Sequence, residues 1–102
     1  MKVVVKEPSQ KGEVMEIENN LASYQKIVGG YIEVIYLNNY CKDLLVIAND
    51  ESKLLGMDYN FSHSLYDYIA GPCIFISDDN EGDFTNLTDK QINFLKNNDF
   101  IN

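Results

Sequence analysis

The segment between residues 78 and 83 holds four carboxylates, which makes it the part of the chain best suited to metal chemistry. Hard cations such as Ca²⁺ take several carboxylate oxygens as ligands. A calcium-binding loop that starts at Asp79 needs a glycine at its sixth position and a glutamate at its twelfth. Here Gly82 is the fourth residue and Lys90 is the twelfth, so the register fails. The segment instead predicts a solvated turn between a strand and a helix, with no metal.

Serine-type catalysis would have to use His63, the single histidine, which stands between Ser62 and Ser64. A serine–histidine pair needs a third group to orient the imidazole and donors for the oxyanion. Adjacent residues rarely reach that geometry, and the chain has no Gly-x-Ser-x-Gly sequence. We therefore expect a protein that is not an enzyme, with His63 as a surface residue.

The two cysteines, Cys41 and Cys73, are the remaining nucleophiles. Lys42 follows Cys41 and could lower the pKa of its thiol slightly, which alone does not indicate catalysis. Cys73 precedes an apolar run that predicts a core strand, where cysteine acts as a small hydrophobic residue. The opening residues MKVVVKEP are too briefly apolar for a signal peptide, so we expect a cytoplasmic protein with both thiols reduced.

Aromatic residues interleaved with polar ones between residues 57 and 68 point to binding. Aromatic side chains on a loop can anchor a protein interface or stack on a base. They can equally belong to a loop that folds back over the sheet, and the sequence leaves both interpretations open. The candidate partner- or ligand-binding residues are Tyr31, Glu33, Tyr59, Phe61, His63, Tyr66, Asp83 and Phe84.

The first two strands and the first helix are predicted by a run of β-branched residues, by alternation of apolar and polar residues, and by helix-capping residues. Val3–Val5 predicts a strand, and residues 13–18 predict a second, half-exposed strand that pairs with it as an antiparallel hairpin. Asn19 or Asn20 can cap a helix that ends at the glycine pair 29–30. The apolar stripe of this helix consists of Leu21, Tyr24, Ile27 and Val28.

Further strands are predicted by apolar runs bounded by turn residues. Residues 31–37 predict one strand, and residues 44–48 predict another that is apolar on both faces, as in a central strand. Residues 53–56 resume the strand pattern weakly, and residues 57–68 are predicted to be irregular. Ile74–Ile76 predicts a buried strand.

A second helix is predicted near the end of the sequence. Thr88 and Gln91 have the spacing of a capping box, in which each side chain bonds the backbone N–H of the other residue. Ile92 and Leu95 share one face of this helix, which ends at residues 97–98. The order β-β-α-β-β-loop-β-α predicts a single α+β domain over residues 1–102, with a mostly antiparallel sheet of about five strands and two helices.

Composition limits the classes of partner. The net charge of −8, from 16 acidic and 8 basic residues, argues against direct nucleic-acid binding, because phosphates require a patch of lysine and arginine. No apolar run approaches the roughly 20 residues of a membrane span, so we expect no membrane partner. An acidic surface suits either ordinary solubility or a basic partner.

Four segments carry a family resemblance. VGGYIE at 28–33, NDESKLLG at 49–56, DYIAG at 67–71 and GDFTNLTD at 82–89 resemble, in this order, domain of unknown function family 3846, a family of small phage and bacterial proteins. Residues 57–66 depart from the pattern, because aromatics replace a loop that would carry proline and arginine. The resemblance implies a protein of phages or other mobile elements and supplies no catalytic residue.

Small acidic proteins of mobile elements often block host defence, so the resemblance implies an inhibitor that binds a host defence protein. We expect such a protein to use no cofactor and to form a homo-oligomer. One alternative is a small-molecule binder that sequesters a nucleotide-like signal, with stacking faces and a ribose acceptor from Tyr31, Glu33, Tyr59, Phe61 and Tyr66. A DNA mimic is a further alternative, although the acidic residues are scattered and do not form dense rows.

Overall fold

The computed structural model describes residues 1–65 and 67–102, and within them the chain forms eight strands and two helices. In chain order these are β1 (Lys2–Lys6), β2 (Glu13–Glu16), α1 (Leu21–Val28), β3 (Ile32–Tyr36), β4 (Leu44–Asn49), β5 (Tyr59–Ser62), β6 (Tyr68–Ala70), β7 (Cys73–Asp78), β8 (Phe84–Thr85) and α2 (Asp89–Asn97). The candidate residue Tyr66 lies outside the described residues.

The main sheet has the strand order β2-β1-β7-β4-β3, and β8 adds to β7. Every neighbouring pair is antiparallel. Strand β4 is buried along its whole length, so the prediction that residues 44–48 form a central strand covered on both faces is confirmed. The predicted fold class is also confirmed: an α+β fold with two helices and a mostly antiparallel sheet of about five strands.

Two apolar clusters cover the two faces of the main sheet, because successive side chains of a strand point to opposite faces. On one face, Tyr24 and Val28 of α1 pack over Ile47 and Ile74, and we call it the α1 face. On the other face, α2 and the hairpin formed by β5 and β6 pack over the sheet around Phe75, and we call it the hairpin face. Each helix therefore belongs to one face.

Helix α1 begins and ends as its caps predict. Asn20 is the N-cap, and its side chain accepts the Ser23 N–H at 2.8 Å. Gly29 ends the helix with φ at 84°, a left-handed conformation that glycine adopts without steric cost. The predicted apolar stripe is wrong at Leu21, which is 55% exposed because it lies in the first turn, away from the sheet.

Helix α2 carries the predicted capping box. The Thr88 hydroxyl accepts the Gln91 N–H at 3.1 Å, and Gln91 Oε1 accepts the Thr88 N–H at 2.9 Å. Gln91 Nε2 also donates to the Lys42 carbonyl and the Ser77 hydroxyl. The cap thus fastens the helix to the central part of the sheet as well as starting it.

The remaining differences concern short or exposed elements. Strand β2 pairs with β1 as predicted, with Val3 opposite Met15, but it stops at Glu16 and all four of its residues are exposed. It is an edge strand, so neither of its faces is fully covered. Residues 53–56 form a turn and do not resume a strand. The two-residue strand β8 was not predicted.

Residues 57–68 are the main correction, because the predicted irregular loop contains strand β5 and the start of strand β6. The register shifts between Tyr59 and Phe61, so the neighbouring residues Asn60 and Phe61 are both buried. Such an irregularity removes the simple alternation by which a strand is recognised in a sequence.

Candidate binding surface

The β5–β6 hairpin is attached to the main sheet through a buried amide. Asn60 Nδ2 donates to the carbonyls of Lys6 and Gly71 at 2.9 and 2.8 Å, while its Oδ1 accepts Lys6 Nζ at 2.7 Å. Lys6 is itself buried, so Asn60 supplies a bond that its ammonium group would otherwise lose on leaving water. This network gives the hairpin a fixed position over β1.

An ion pair joins the hairpin to the turn that follows β4. Lys53 Nζ lies 2.5 Å from Asp67 Oδ1 and 4.4 Å from the centre of the Tyr68 ring. The hydrogen bond from Lys53 is the main reason that the pKa of Asp67 is lowered, and the Tyr68 N–H adds to it. The same bond raises the pKa of Lys53. Both groups are therefore charged at neutral pH.

His63 lies against this ion pair. Its Nε2 is 3.3 Å from Asp67 Oδ2, close enough for an ion pair when the imidazole is protonated, yet it forms no hydrogen bond to the described residues. The Tyr40 hydroxyl donates to the His63 carbonyl. The side chain is only 14% exposed, which corrects the prediction of a surface histidine.

Large apolar side chains that neighbour the ion pair in the sequence are open to solvent. Leu54 follows Lys53 and is 87% exposed, and Leu65 precedes Asp67 by two residues and is 95% exposed. Tyr59 and Tyr68 pair across the hairpin with ring centres 5.7 Å apart, and both are exposed. We call this set the hairpin surface. It consists of Lys53, Leu54, Tyr59, Leu65, Asp67 and Tyr68.

Glu33 lies within the electrostatic field of the hairpin surface. Burial raises the pKa of its carboxyl, the carboxylates of Asp50 and Asp67 raise it further, and Lys53 opposes them. Tyr31 has a different setting, although it precedes Glu33 by two residues. It is largely exposed and lines a concavity of about 260 Å³ beside Asn49 and Leu55.

Phe61 does not offer a binding face. Its ring packs 5.3 Å from that of Phe75 and 5.5 Å from that of Phe100, and 6% of the residue is exposed. The expectation that it stacks on a partner or ligand is therefore corrected, because the hairpin turns this residue into the core. Of the two interpretations of the aromatic segment, a chain that folds back over the sheet is the one that fits Phe61. The interpretation as a binding residue still applies to Tyr59, which is exposed.

Asp83 and Phe84 lie on the α1 face, away from the hairpin surface. The Phe84 ring packs edge-on against Tyr24 at 5.4 Å, and Asp83 adds to the burial that raises the pKa of the Tyr24 hydroxyl. In the acidic turn, Asp79 Oδ1 accepts the N–H groups of Glu81 and Asp83. These contacts are those of a turn, and the part of the chain that the structure describes contains no group of three metal-ligating side chains.

The cysteine thiols are both shifted away from reactivity. Burial raises the pKa of Cys41, and this outweighs the opposing effect of Lys90, so the prediction of a slightly lowered pKa is wrong. Burial raises the pKa of Cys73 to about 12, in agreement with its predicted place in a core strand. Neither thiol forms a disulfide.

The sequence did not single out Lys53, Leu54, Leu65, Asp67 or Tyr68 as candidates. Lys53 and Asp67 stand 14 residues apart in the chain, and no spacing rule connects a turn with a hairpin. A signal was nevertheless present, because both members of the ion pair lie in segments that carry the family resemblance, NDESKLLG and DYIAG.

The fold and the hairpin surface define an α+β protein with exposed leucine and tyrosine side chains and an ion pair that contacts one of the tyrosines. Residues 1–98 match the family described as Domain of unknown function (DUF3846), and the chain belongs to that family. The comparisons with curated proteins and with solved structures gave no match. Neither helix of the described residues is long and apolar enough to cross a bilayer.

Proposed function

We propose that the protein is a non-enzymatic binding protein that docks onto another protein through the hairpin surface. The observation that carries this proposal is the exposure of Leu54, which follows Lys53 in the sequence, and of Leu65, which lies two residues before its ion-pair partner Asp67. Exposed apolar and aromatic side chains whose sequence neighbours form an ion pair match the mixed composition of protein interfaces.

Tyr59 and Tyr68 are suited to act as anchors of this interface. Each ring is partly covered by the other and by the hairpin, and each keeps an exposed portion. Tyrosine is enriched among the residues that dominate binding energy, because it buries much area at a low cost in side-chain entropy. The ion pair and the Lys53–Tyr68 contact hold these groups in place before the partner arrives.

The charge of the chain specifies the partner further. At a net charge of −8, the protein attracts a partner whose docking face is basic and repels one whose face is acidic. Such long-range attraction acts mainly on the association rate and weakens as salt is added. The proposed partner is therefore a protein with a basic rim around an apolar centre.

We further propose that this partner is a host defence protein in the bacterial cytoplasm. Support for this narrower statement is associational, because it comes from the mobile-element context that the family resemblance implies.

Affinity capture from a bacterial lysate tests the proposal with matched variants. The wild-type chain is expected to retain a protein partner at low salt and less of it at high salt. The double variant Leu54→Ala/Leu65→Ala removes two exposed side chains without touching the core, so it should fold normally and retain at least about tenfold less partner.

Leu21→Ala is the control, because Leu21 is also an exposed leucine but lies on α1, at the opposite face. It should retain as much partner as the wild-type chain does. The proposal fails if no protein is retained under either salt condition, or if the double variant captures the same protein as well as the control does.

The small-molecule hypothesis makes a different prediction. Tyr31 and Tyr59 line separate concavities of about 260 and 300 Å³, so a stacked base would have to use one of them. Native mass spectrometry after incubation with cell extract distinguishes the hypotheses. A retained nucleotide-like ligand would favour this alternative over protein binding.

A further inference from the structure

Strand β3 forms one end of the main sheet, and one row of its backbone groups faces away from β4. The Leu37 N–H, just after β3, donates to the Leu44 carbonyl at 2.8 Å. Backbone bonds alternate along an antiparallel pair, so the odd-numbered residues of β3 direct theirs to β4. The N–H and carbonyl groups of Ile32, Val34 and Tyr36 therefore point outward, and within the described residues no other strand pairs with them.

The two edges of the sheet differ in how they are protected. Strand β2, at the other end, begins and ends with Glu13 and Glu16, and charged edges discourage pairing with another chain. Strand β3 contains a single charged residue, Glu33, among apolar and aromatic residues. An unprotected apolar edge of this kind is a template for a further strand.

Strand β3 is complementary to itself in one antiparallel register. When Val34 of one copy lies opposite Val34 of the other, all five residues pair, with Ile32 opposite Tyr36. The outward N–H and carbonyl groups then meet at three positions, with two hydrogen bonds at each. Each Glu33 faces Ile35 of the other copy, so the two carboxylates are diagonal neighbours and are not directly opposed.

We infer that two copies of this chain pair through β3, joining their main sheets into one continuous antiparallel sheet. The pairing uses the backbone groups that the single chain leaves unbonded and covers Val34 and Ile32, which are only partly buried. This surface lies at the sheet edge, and of the residues that it pairs Glu33 alone is described above as interacting with the hairpin surface, through the charges of Lys53 and Asp67.

Disulfide trapping tests this register. In Val34→Cys, the two new thiols belong to directly opposed residues with Cα atoms roughly 5.5 Å apart, which is within the range that a disulfide bridges. Under a mild oxidant, this variant is expected to give a covalent dimer in a non-reducing gel. Tyr36→Cys is the matched control, because its two copies would lie about 14 Å apart, four residues out of register.

The wild-type chain is oxidised in parallel, to measure any cross-linking that comes from the native thiols of Cys41 and Cys73. The inference is overturned if Tyr36→Cys cross-links as readily as Val34→Cys, or if neither does so.

A proline exchange provides an independent measurement in solution. Val34→Pro removes an outward N–H that does not bond to β4, so the fold should survive. The dissociation constant of the dimer, measured by sedimentation equilibrium, should rise at least about tenfold. Val14→Pro removes an outward N–H from the β2 edge and should leave the dimer unchanged. A wild-type chain that stays monomeric at about 100 µM would contradict the inference, as would equal effects of the two prolines.

Discussion

At the scale of single residues, Asn60 forms the buried hydrogen bonds that attach the hairpin to the main sheet. Its amide satisfies two backbone carbonyls and the ammonium group of the buried Lys6, and no carboxylate forms an ion pair with that lysine among the described residues. A buried charge that loses its hydrogen-bond partner is costly, because water cannot replace the lost bond. The stability of the protein should therefore depend strongly on this amide.

Asn60→Ala should lower the free energy of unfolding by about 3 kcal/mol, since it leaves a buried cation and two carbonyls with fewer partners. Urea denaturation followed by circular dichroism measures this loss. Ser62→Ala, at an exposed position of the same strand, is the control and should change stability by less than about 0.5 kcal/mol. If the two variants behaved alike, the anchoring role of Asn60 would be refuted.

Cys73 predicts an alkaline pH dependence. Its pKa rises from 9.0 in the unfolded chain to about 12 in the fold, so the folded state holds the proton more tightly. The stabilisation of the fold that comes from this difference in pKa is fully present below pH 9 and is lost as the pH rises from 9 towards 12. By pH 10 the wild-type chain should have lost on the order of 1 kcal/mol through this residue.

Cys73→Ala should remove that loss, whatever its cost at neutral pH, because alanine carries no proton to release. The measurement is the difference between the unfolding free energies at pH 8 and pH 10 for each chain. Parallel declines in the two chains over this interval would show that the buried thiol does not cause the pH dependence.

At the scale of secondary-structure elements, α2 depends on its cap. Thr88→Ala removes the acceptor of the Gln91 N–H and should cost on the order of 1 kcal/mol. The denaturation midpoint should fall at an unchanged slope, because the cap does not alter the surface exposed on unfolding. Partner binding should change little, since Thr88 is not one of the residues of the hairpin surface.

Asp83→Asn is the control for the cap. It removes a charge from the acidic turn but keeps an oxygen that can accept the Phe84 N–H. Stability should be nearly unaltered. A larger loss from Asp83→Asn than from Thr88→Ala would show that the acidic turn has a role beyond that of a turn.

The elements that the sequence predicts well are those with local signals. Both helices were predicted with their caps, because Asn20, Gly29 and Thr88 act within one turn of backbone. Strand β4 was predicted because its apolar run needs no knowledge of its neighbours. The β5–β6 hairpin was missed because its register shift breaks the alternation and its strands are held by the distant Asn60–Lys6 contact.

The candidate surface was predictable only in part, for the same reason. The exposed Tyr59 was identified as a candidate from its residue type. Phe61 was wrongly included on the same ground, because residue type does not show that the hairpin directs this side chain into the core. The ion pair of Lys53 and Asp67 could not be derived, since it joins two segments that meet only in the folded chain.

At the scale of the whole molecule, the proposed functions occupy different parts of the fold. The hairpin surface lies over one face of the main sheet, and the free backbone groups of β3 lie at its edge. A double variant at Leu54 and Leu65 should therefore leave dimerisation intact, while a proline at Val34 should leave partner capture intact. Failure of one proposal does not remove the other.

Hydrogen exchange of the complex tests the central claim, that the hairpin surface is the docking site, most directly. The protein is mixed with the purified captured partner, and amide exchange is followed by mass spectrometry. We expect exchange to slow in residues 53–55 and 59–65 and to stay unchanged in residues 19–23 and 78–83. Protection confined to the α1 face or to the acidic turn, with no change in the hairpin surface, would contradict the account.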